Sequence, residues 1–269
     1  MTIQQILAQN NIPEQQCNMF AAYYKLLVEW NEKINLTAIT GEEDVAYKHF
    51  IDCISIFKSG VIADGAKIID VGTGAGFPGL PMKIYNNSLE VTLVDSLNKR
   101  LNFLTEVTDT LGLHNVRCVH GRAEDLGHNK LYREQFDICA SRAVANLATL
   151  CELCLPFVKV GGYLAALKGP KADEEIAQAQ KALKLLGGKV EKVINYSIAD
   201  TDYDHNIVLI KKNISYFCQI PKESTKTVKR TACVKRFFFF YGKLPRPKTI
   251  HNRYDICYYK LRIKFLIYL

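Results

Sequence analysis

A chain of 269 residues with 48% hydrophobic content is long enough for one full α/β core plus additions, and its polarity is ordinary for a soluble protein. The net charge of +8 is unevenly placed: residues 1–210 hold 20 Lys+Arg against 25 Asp+Glu, whereas the last 59 hold 15 against 2, so the basic character belongs to the carboxyl end. No apolar stretch approaches the length of a bilayer span, no basic-then-apolar signal opens the chain, and nine irregularly spaced cysteines argue against a disulfide framework; a cytoplasmic protein without membrane contact is expected.

The opening of the chain reads as helix. Ile3, Ile6 and Leu7 share a face, and from Pro13 the residues Phe20, Tyr23, Tyr24, Leu27, Val28 and Trp30 recur at helical intervals. A third helical run is predicted over Glu42 to Lys58, with Val45, His49, Phe50, Ile54 and Phe57 recurring, and these aromatics read as packing rather than ligand contacts. Residues 1–62 are therefore expected to form a helical cap and residues 63–212 an α/β domain.

From Ala66 the pattern alternates strands with helices, the mark of a parallel sheet with crossover helices. Strands are predicted at Lys67–Val71, Glu90–Asp95, Val116–His120, Phe136–Ser141, Gly162–Lys168, Lys189–Ser197 and Asn206–Lys211. A polar loop, Ala199 to His205, joins the last two and implies a closing pair with one antiparallel strand. A doubly wound, seven-stranded Rossmann-like α/β sheet with that ending is the architecture of class I methyltransferases, an analogy of fold that does not settle chemistry.

The first predicted strand carries Asp70 next to its last residue and breaks into a turn holding Gly72, Gly74, Gly76 and Gly79. Such a turn between strand and helix faces the carboxyl edge of the sheet, where open α/β sheets bind ligands. Two cofactors compete for it. Gly74, Gly76 and Gly79 satisfy the dinucleotide spacing, with Asp95 at the interval of a ribose-binding acid. The rival register, Asp70-x-Gly72-x-Gly74-x-Gly76, places a carboxylate two residues before the first glycine. A carboxylate there disfavours a pyrophosphate and suits the ammonium and sulfonium of S-adenosylmethionine, which is the favoured reading. Cys151 and Cys154 form a C-x-x-C within a helical-looking run and read as core; no second pair with zinc spacing appears, and no metal is expected.

Six segments together point to a family: Val28-Glu29-Trp30-Asn31-Glu32-Lys33-Ile34-Asn35-Leu36-Thr37, Lys48-His49-Phe50-Ile51-Asp52, Asp70 to Pro81, Val94-Asp95-Ser96-Leu97-Asn98-Lys99-Arg100, Arg122-Ala123-Glu124 and Ser141-Arg142-Ala143-Val144-Ala145. In this order they resemble the glucose-inhibited division protein B family, bacterial methyltransferases acting on guanine N7 in small-subunit ribosomal RNA. The resemblance runs from about residue 13 to about residue 212. It implies S-adenosylmethionine as cofactor, with Gly72 and Phe77 at its methionine and ribose portions and Gly74 and Gly76 allowing close approach. It implies Asp95 as acceptor for the ribose hydroxyls, Ala123 and Glu124 as the frame of the adenine, and Arg142 near the methyl-transfer face.

The resemblance further implies that the third helix folds over the cofactor mouth, with His49 and Asp52 as substrate contacts. The implied partner is small-subunit ribosomal RNA or its ribonucleoprotein, met by a monomeric enzyme. Lys168, ending Ala166-Leu167-Lys168-Gly169-Pro170, is placed for a phosphate. Blander roles stay open: Asp95 as a helix cap, Arg142 as a surface ion pair, His49 as a satisfied core histidine.

What is absent fits as well. The Asn/Asp-Pro-Pro-aromatic run common in exocyclic-amine methylation is replaced by Ala140-Ser141-Arg142-Ala143, and Cys139, the nearest thiol, sits among apolar neighbours as core. Guanine N7 carries an in-plane lone pair, so no catalytic general base is expected and alignment of the reactants carries the reaction.

After Lys212 the chain departs from the family, whose members end soon afterwards in a short basic segment close to Lys-Tyr-Pro-Arg-Lys-Ala. Gln219 to Thr227 can be encoded by codons that, read from the second base, give Lys-Tyr-Pro-Arg-Lys-Ala-Pro-Lys. A frameshift near Asn213 to Cys218 is therefore expected, with 213–269 a basic, aromatic-rich tail that is disordered or aberrant; a genuine RNA-binding arm is the alternative. Resequencing that stretch decides it, since codons unable to yield the basic motif in another frame end the idea. Two other functions stay in view: a dinucleotide-dependent oxidoreductase, and a non-enzymatic RNA-binding protein with a vestigial pocket.

Overall fold

A computed structural model of the chain describes residues 1–142, 144–198 and 205–215. The expected polar loop lies outside them over 199–204, and so does the tail from residue 216 onward. Seven strands form one sheet: β1 (Lys67–Val71), β2 (Glu90–Asp95), β3 (Val116–His120), β4 (Phe136–Arg142), β5 (Val158–Lys168), β6 (Gly188–Tyr196) and β7 (His205–Lys212). The helices are α1 (Ile3–Gln9), α2 (Glu14–Ile34), α3 (Glu42–Val45), α4 (Asp52–Ile54), α5 (Gly79–Tyr85), α6 (Asn98–Thr110), α7 (Ala123–Leu126), α8 (Leu147–Cys154) and α9 (Ala172–Leu186).

The strand order is β3-β2-β1-β4-β5-β7-β6. The first five strands pair in parallel, and β7 runs antiparallel between β5 and β6. The antiparallel ending agrees with the sequence reading. Two boundaries differ in a useful way. β4 continues one residue to Arg142, which fixes that residue's face, and β5 begins at Val158, ahead of the Gly161-Gly162 pair where sequence placed its start.

Strand alternation sends neighbouring residues to opposite faces. Ile68, Val91, Leu93, Ile138, Ala140, Ile207 and Leu209 pack with Phe20, Tyr23, Leu27, Phe50, Phe103 and Leu104 in one core, so the amino-terminal helices and α6 cover that face. Ile69, Val71, Val94, Cys139, Leu164, Ala166, Val208 and Ile210 pack with Cys151, Cys154, Leu183 and Leu186 from α8 and α9 on the other. The aromatics of α2 are packing, as expected: Phe20 and Tyr23 are fully buried.

The third helical run is not one regular helix. It passes from α3 into a π-helical turn, Ala46–Ile51, then α4, then a 3-10 turn, Ser55–Ser59. A π turn inserts a residue into the repeat and re-aims the side chains after it, a device concentrated at functional sites. No described helix is long and apolar enough to cross a membrane, and no group of metal-ligating side chains occurs among the described residues.

Candidate active site

The glycine turn joins β1 to α5 and is anchored from beneath. Gly72 and Thr73 donate their amides to Val94 O at 2.9 and 3.0 Å, and Gly74 donates to Asp95 Oδ2 at 3.0 Å. Gly72 is exposed and Gly74 half-buried; a Cβ on Gly74 would meet nothing nearer than Gly72 O at 4.0 Å. The open space on this edge lies beside Gly74, while the Val144 side chain stands against Gly72. Gly76 is different. It is buried at φ +95°, and a Cβ there would stand 2.5 Å from Tyr23 Oη, whose hydroxyl donates to Ala75 O. The need for glycine at position 76 is thus set by α2 pressing on the turn.

Asp70 departs from its expected part. The sequence reading places its charge toward a cationic ligand, but the carboxyl is wholly buried: Oδ2 accepts from Thr73 Oγ1 at 2.7 Å and from Gly79 N, at the start of α5, at 2.8 Å. It braces the turn. Burial pushes its pKa up to about 7, against the lowering effect of those two bonds, and Oδ1 has no hydrogen-bond partner. A carboxyl raised in the folded state contributes stability below its ordinary pKa of 3.8 and loses it as pH rises through about 7. Asp70→Asn should keep the Thr73 and Gly79 bonds without that loss. Its melting temperature relative to wild type should climb between pH 5 and pH 8, and a pH-independent difference would refute the raised carboxyl.

Asp95, ending β2 with 3% exposure, has both oxygens engaged. Oδ1 accepts from Leu97 N at 2.9 Å; Oδ2 accepts from Gly74 N and, at 3.3 Å, from Arg100 Nη1. A carboxylate offers about four acceptor positions, so about one remains for a ligand, or two when the half-exposed Arg100 swings away. The Leu97 bond ties Asp95 to the start of α6, whose N-cap is Leu97 and not Asp95 itself. Ala123 and Glu124 open the short α7, both half-buried.

The cap meets the sheet at Arg142. Its Nη1 donates to Lys48 O at 2.8 Å and Asp52 Oδ2 at 2.9 Å, its Nη2 lies 3.1 Å from His49 Nδ1, and its guanidinium lies 4.9 Å from the Phe77 ring centroid. Three of the five guanidinium donors are thereby used, leaving two with no partner among the described residues. The surface ion pair is therefore excluded, since the side chain is 14% exposed.

The three expected substrate contacts all have partners within the fold. His49 is buried with both ring nitrogens engaged, Nε2 lying 2.9 Å from Thr37 Oγ1, and its ring packs on Phe77 at 4.6 Å. Nδ1 faces two partners of opposite demand, Arg142 Nη2 at 3.1 Å, which can only donate, and Lys48 O at 3.0 Å, which can only accept, so the network does not single out one tautomer. Burial first, and then Arg142, bring its pKa down to about 4. Asp52 is likewise buried, its Oδ1 accepting from Tyr196 Oη at 2.7 Å and lying 3.2 Å from His205 Nδ1. Lys168 is engaged as well: its Nζ lies 2.6 Å from Ala145 O and 2.7 Å from Glu175 Oε2. Alternation along β5 puts it on the α8/α9 face, away from the cap, and Glu175 also accepts from Leu147 N at the start of α8.

Tyr23, Thr37, Tyr196 and His205 were missed by the sequence reading. Thr37 lay inside a quoted motif; the others carry no local signal.

These residues fit S-adenosylmethionine on chemical grounds. The open space at Gly74 leaves room beside a backbone, Asp95 keeps acceptor capacity for a diol, and Arg142 keeps two donors for an acceptor. Val144 packs against Gly72, within 2.9 Å of where a Cβ would stand, and so joins the strand-four turn to the glycine edge.

The strand order, with β7 reversed, is that of class I S-adenosylmethionine-dependent methyltransferases, and the carboxyl ends of β1 and β2 are where an open α/β sheet holds such a cofactor. The profile of the GidB family, described as rRNA small subunit methyltransferase G, matches residues 16–203. The chain is 53% identical over 199 residues to the ribosomal RNA small subunit methyltransferase G of Clostridium botulinum strain 657, covering 74% of this chain and 83% of that protein. It is 48% identical over 217 residues to the same-named protein of Clostridium novyi strain NT, covering 81% and 89%. Among solved structures it is similar to a SAM-dependent methyltransferase from Aquifex aeolicus, at 22% identity and TM-score 0.44, over 59% of this chain and 89% of that one. The chain belongs to the GidB family, and the oxidoreductase reading falls.

Proposed function

We propose that this protein methylates N7 of a guanine in small-subunit ribosomal RNA, acting as a cytoplasmic monomer whose residues 1–62 serve as a cap over the site. The observation that carries the reading is the meeting of the open glycine edge, Asp95 and the partly satisfied guanidinium of Arg142 on one side of the sheet. When bound, S-adenosylmethionine supplies an electrophilic methyl group on its sulfonium. Gly72 and Gly74 would hold it along their backbone, Asp95 by its remaining acceptor capacity, with Ala123 and Glu124 at the opening of α7 beside it.

The side chains present suit a reaction without proton abstraction. His49 is neutral through physiological pH with both nitrogens engaged, and Asp70 is buried beneath the turn. The lone pair of guanine N7 needs neither of them as a base. What the protein contributes is position, an effect worth about 7 to 11 kcal/mol in well-oriented intramolecular reactions. The turnover rate should therefore stay flat from pH 6 to pH 8 in a single-turnover assay; an ionisation near neutrality abolished by His49→Asn would refute the baseless mechanism. Mass spectrometry of small-subunit RNA from cells with and without the protein tests the assignment. A 7-methylguanine lost with the protein is expected, and an unchanged modification pattern would overturn it.

A further inference from the structure

The carboxylate of Asp52 joins parts of the fold far apart in sequence. It leaves α4, accepts from Tyr196 at the end of β6, faces His205 at the start of β7, and accepts from Arg142 at the end of β4. The pair with Arg142 is nearly sealed from water, with side-chain exposures of 7% and 14%. Burying two charges is costly, and a well-packed apolar pair of similar volume would hold such a junction as well or better. The ion pair is therefore weak evidence of a stabilising device. It does give direction: Asp52, Lys48 O and His49 take the guanidinium from one side over Phe77, leaving two donors uncommitted among the described residues.

We propose that Asp52 is a positioning residue, which with Tyr196 and His205 behind it fixes the Arg142 guanidinium so that its two uncommitted donors arrive oriented for the bound reactants. The proposal rests on the reading that Arg142 stands at the methyl-transfer face. It also assigns the closing β6–β7 pair a part in the reaction, through the Tyr196 hydroxyl. The hydrogen bonds from His205, Arg142 and Tyr196 outweigh the effect of burial and keep Asp52 below the usual carboxylate range, so it stays an anion.

The test is a double-variant cycle read by three measurements: methyl transfer to small-subunit RNA, affinity for S-adenosylhomocysteine, and melting temperature. Asp52→Asn and Arg142→Gln should each slow transfer about tenfold to a hundredfold, and each should melt lower because a buried charge is left unpaired. The double variant should regain part of that melting temperature, with no charge unpaired, yet transfer methyl at the same rate as Arg142→Gln alone. Tyr196→Phe, which removes one hydroxyl, should lose about threefold to tenfold in rate, with S-adenosylhomocysteine affinity kept and melting within a few degrees of wild type. Wild-type rates in both Asp52→Asn and Tyr196→Phe, or a double variant slowed by the product of the single losses, would overturn the proposal alone. Wild-type transfer by Arg142→Gln would overturn the reading beneath it.

Discussion

Asp95→Ala is expected to weaken S-adenosylhomocysteine binding about a hundredfold, since charge-assisted hydrogen bonds contribute about 1.5–3 kcal/mol each. The effect has two sources in this site. One is the acceptor capacity that Asp95 keeps for a ligand; the other is its grip on Gly74 N and Leu97 N, which sets the height of the glycine edge. Asp95→Asn keeps the shape and an oxygen, so about a tenfold loss is expected. Isothermal titration reads both, and an Asp95→Ala protein binding within threefold of wild type would show that the acid at the end of β2 is only a helix start.

Gly76→Ala should destabilise the fold by about 3 to 5 kcal/mol, combining backbone strain with overpacking. At φ +95° an alanine is strained, and its Cβ would lie 2.5 Å from Tyr23 Oη, 2.8 Å from Leu80 Cδ1 and 2.9 Å from Leu104 Cδ2. Tyr23 cannot withdraw cheaply, because its ring is fully buried and its hydroxyl is bonded to Ala75 O. Gly74→Ala is the contrast: φ is +60° with open space, so the fold should lose only about 1–2 kcal/mol, with the damage falling on cofactor affinity. Denaturant melts and titrations of the two variants should show opposite patterns; equal stability losses would mean that the turn has no distinct cap side and ligand side.

Much of this was legible because strands announce themselves. Ile68-Ile69-Asp70-Val71 and Glu90 to Asp95 are short apolar runs with an acid at or beside the end, and alternation places Asp70 and Asp95 on the cap side with Ile68 and Leu93, whereas Arg142 joins Ala140 there because β4 runs one residue past the predicted Ser141. The same alternation, carried along β5, would have put Lys168 with Leu164 and Ala166 on the opposite face. Charge at a strand end was read there in place of parity. The π turn at Ala46–Ile51 left no trace, because a helical period cannot show a single inserted residue. Nor could Asp52 reveal Tyr196, 144 residues away, since such pairing is created by the packing of β6 and β7 against the cap. Asp70 was assigned by its charge, when the amides and hydroxyl waiting beneath the turn decide what its oxygens do.

The most direct measurement is methyl transfer by the purified full-length protein from isotope-labelled S-adenosylmethionine to small-subunit ribosomal RNA, followed by nucleoside analysis. Label recovered as 7-methylguanosine, and lost when Asp95 is replaced by Ala, is the predicted result. Label on another atom or base, or no label while the protein binds NAD in place of S-adenosylhomocysteine, would contradict the account.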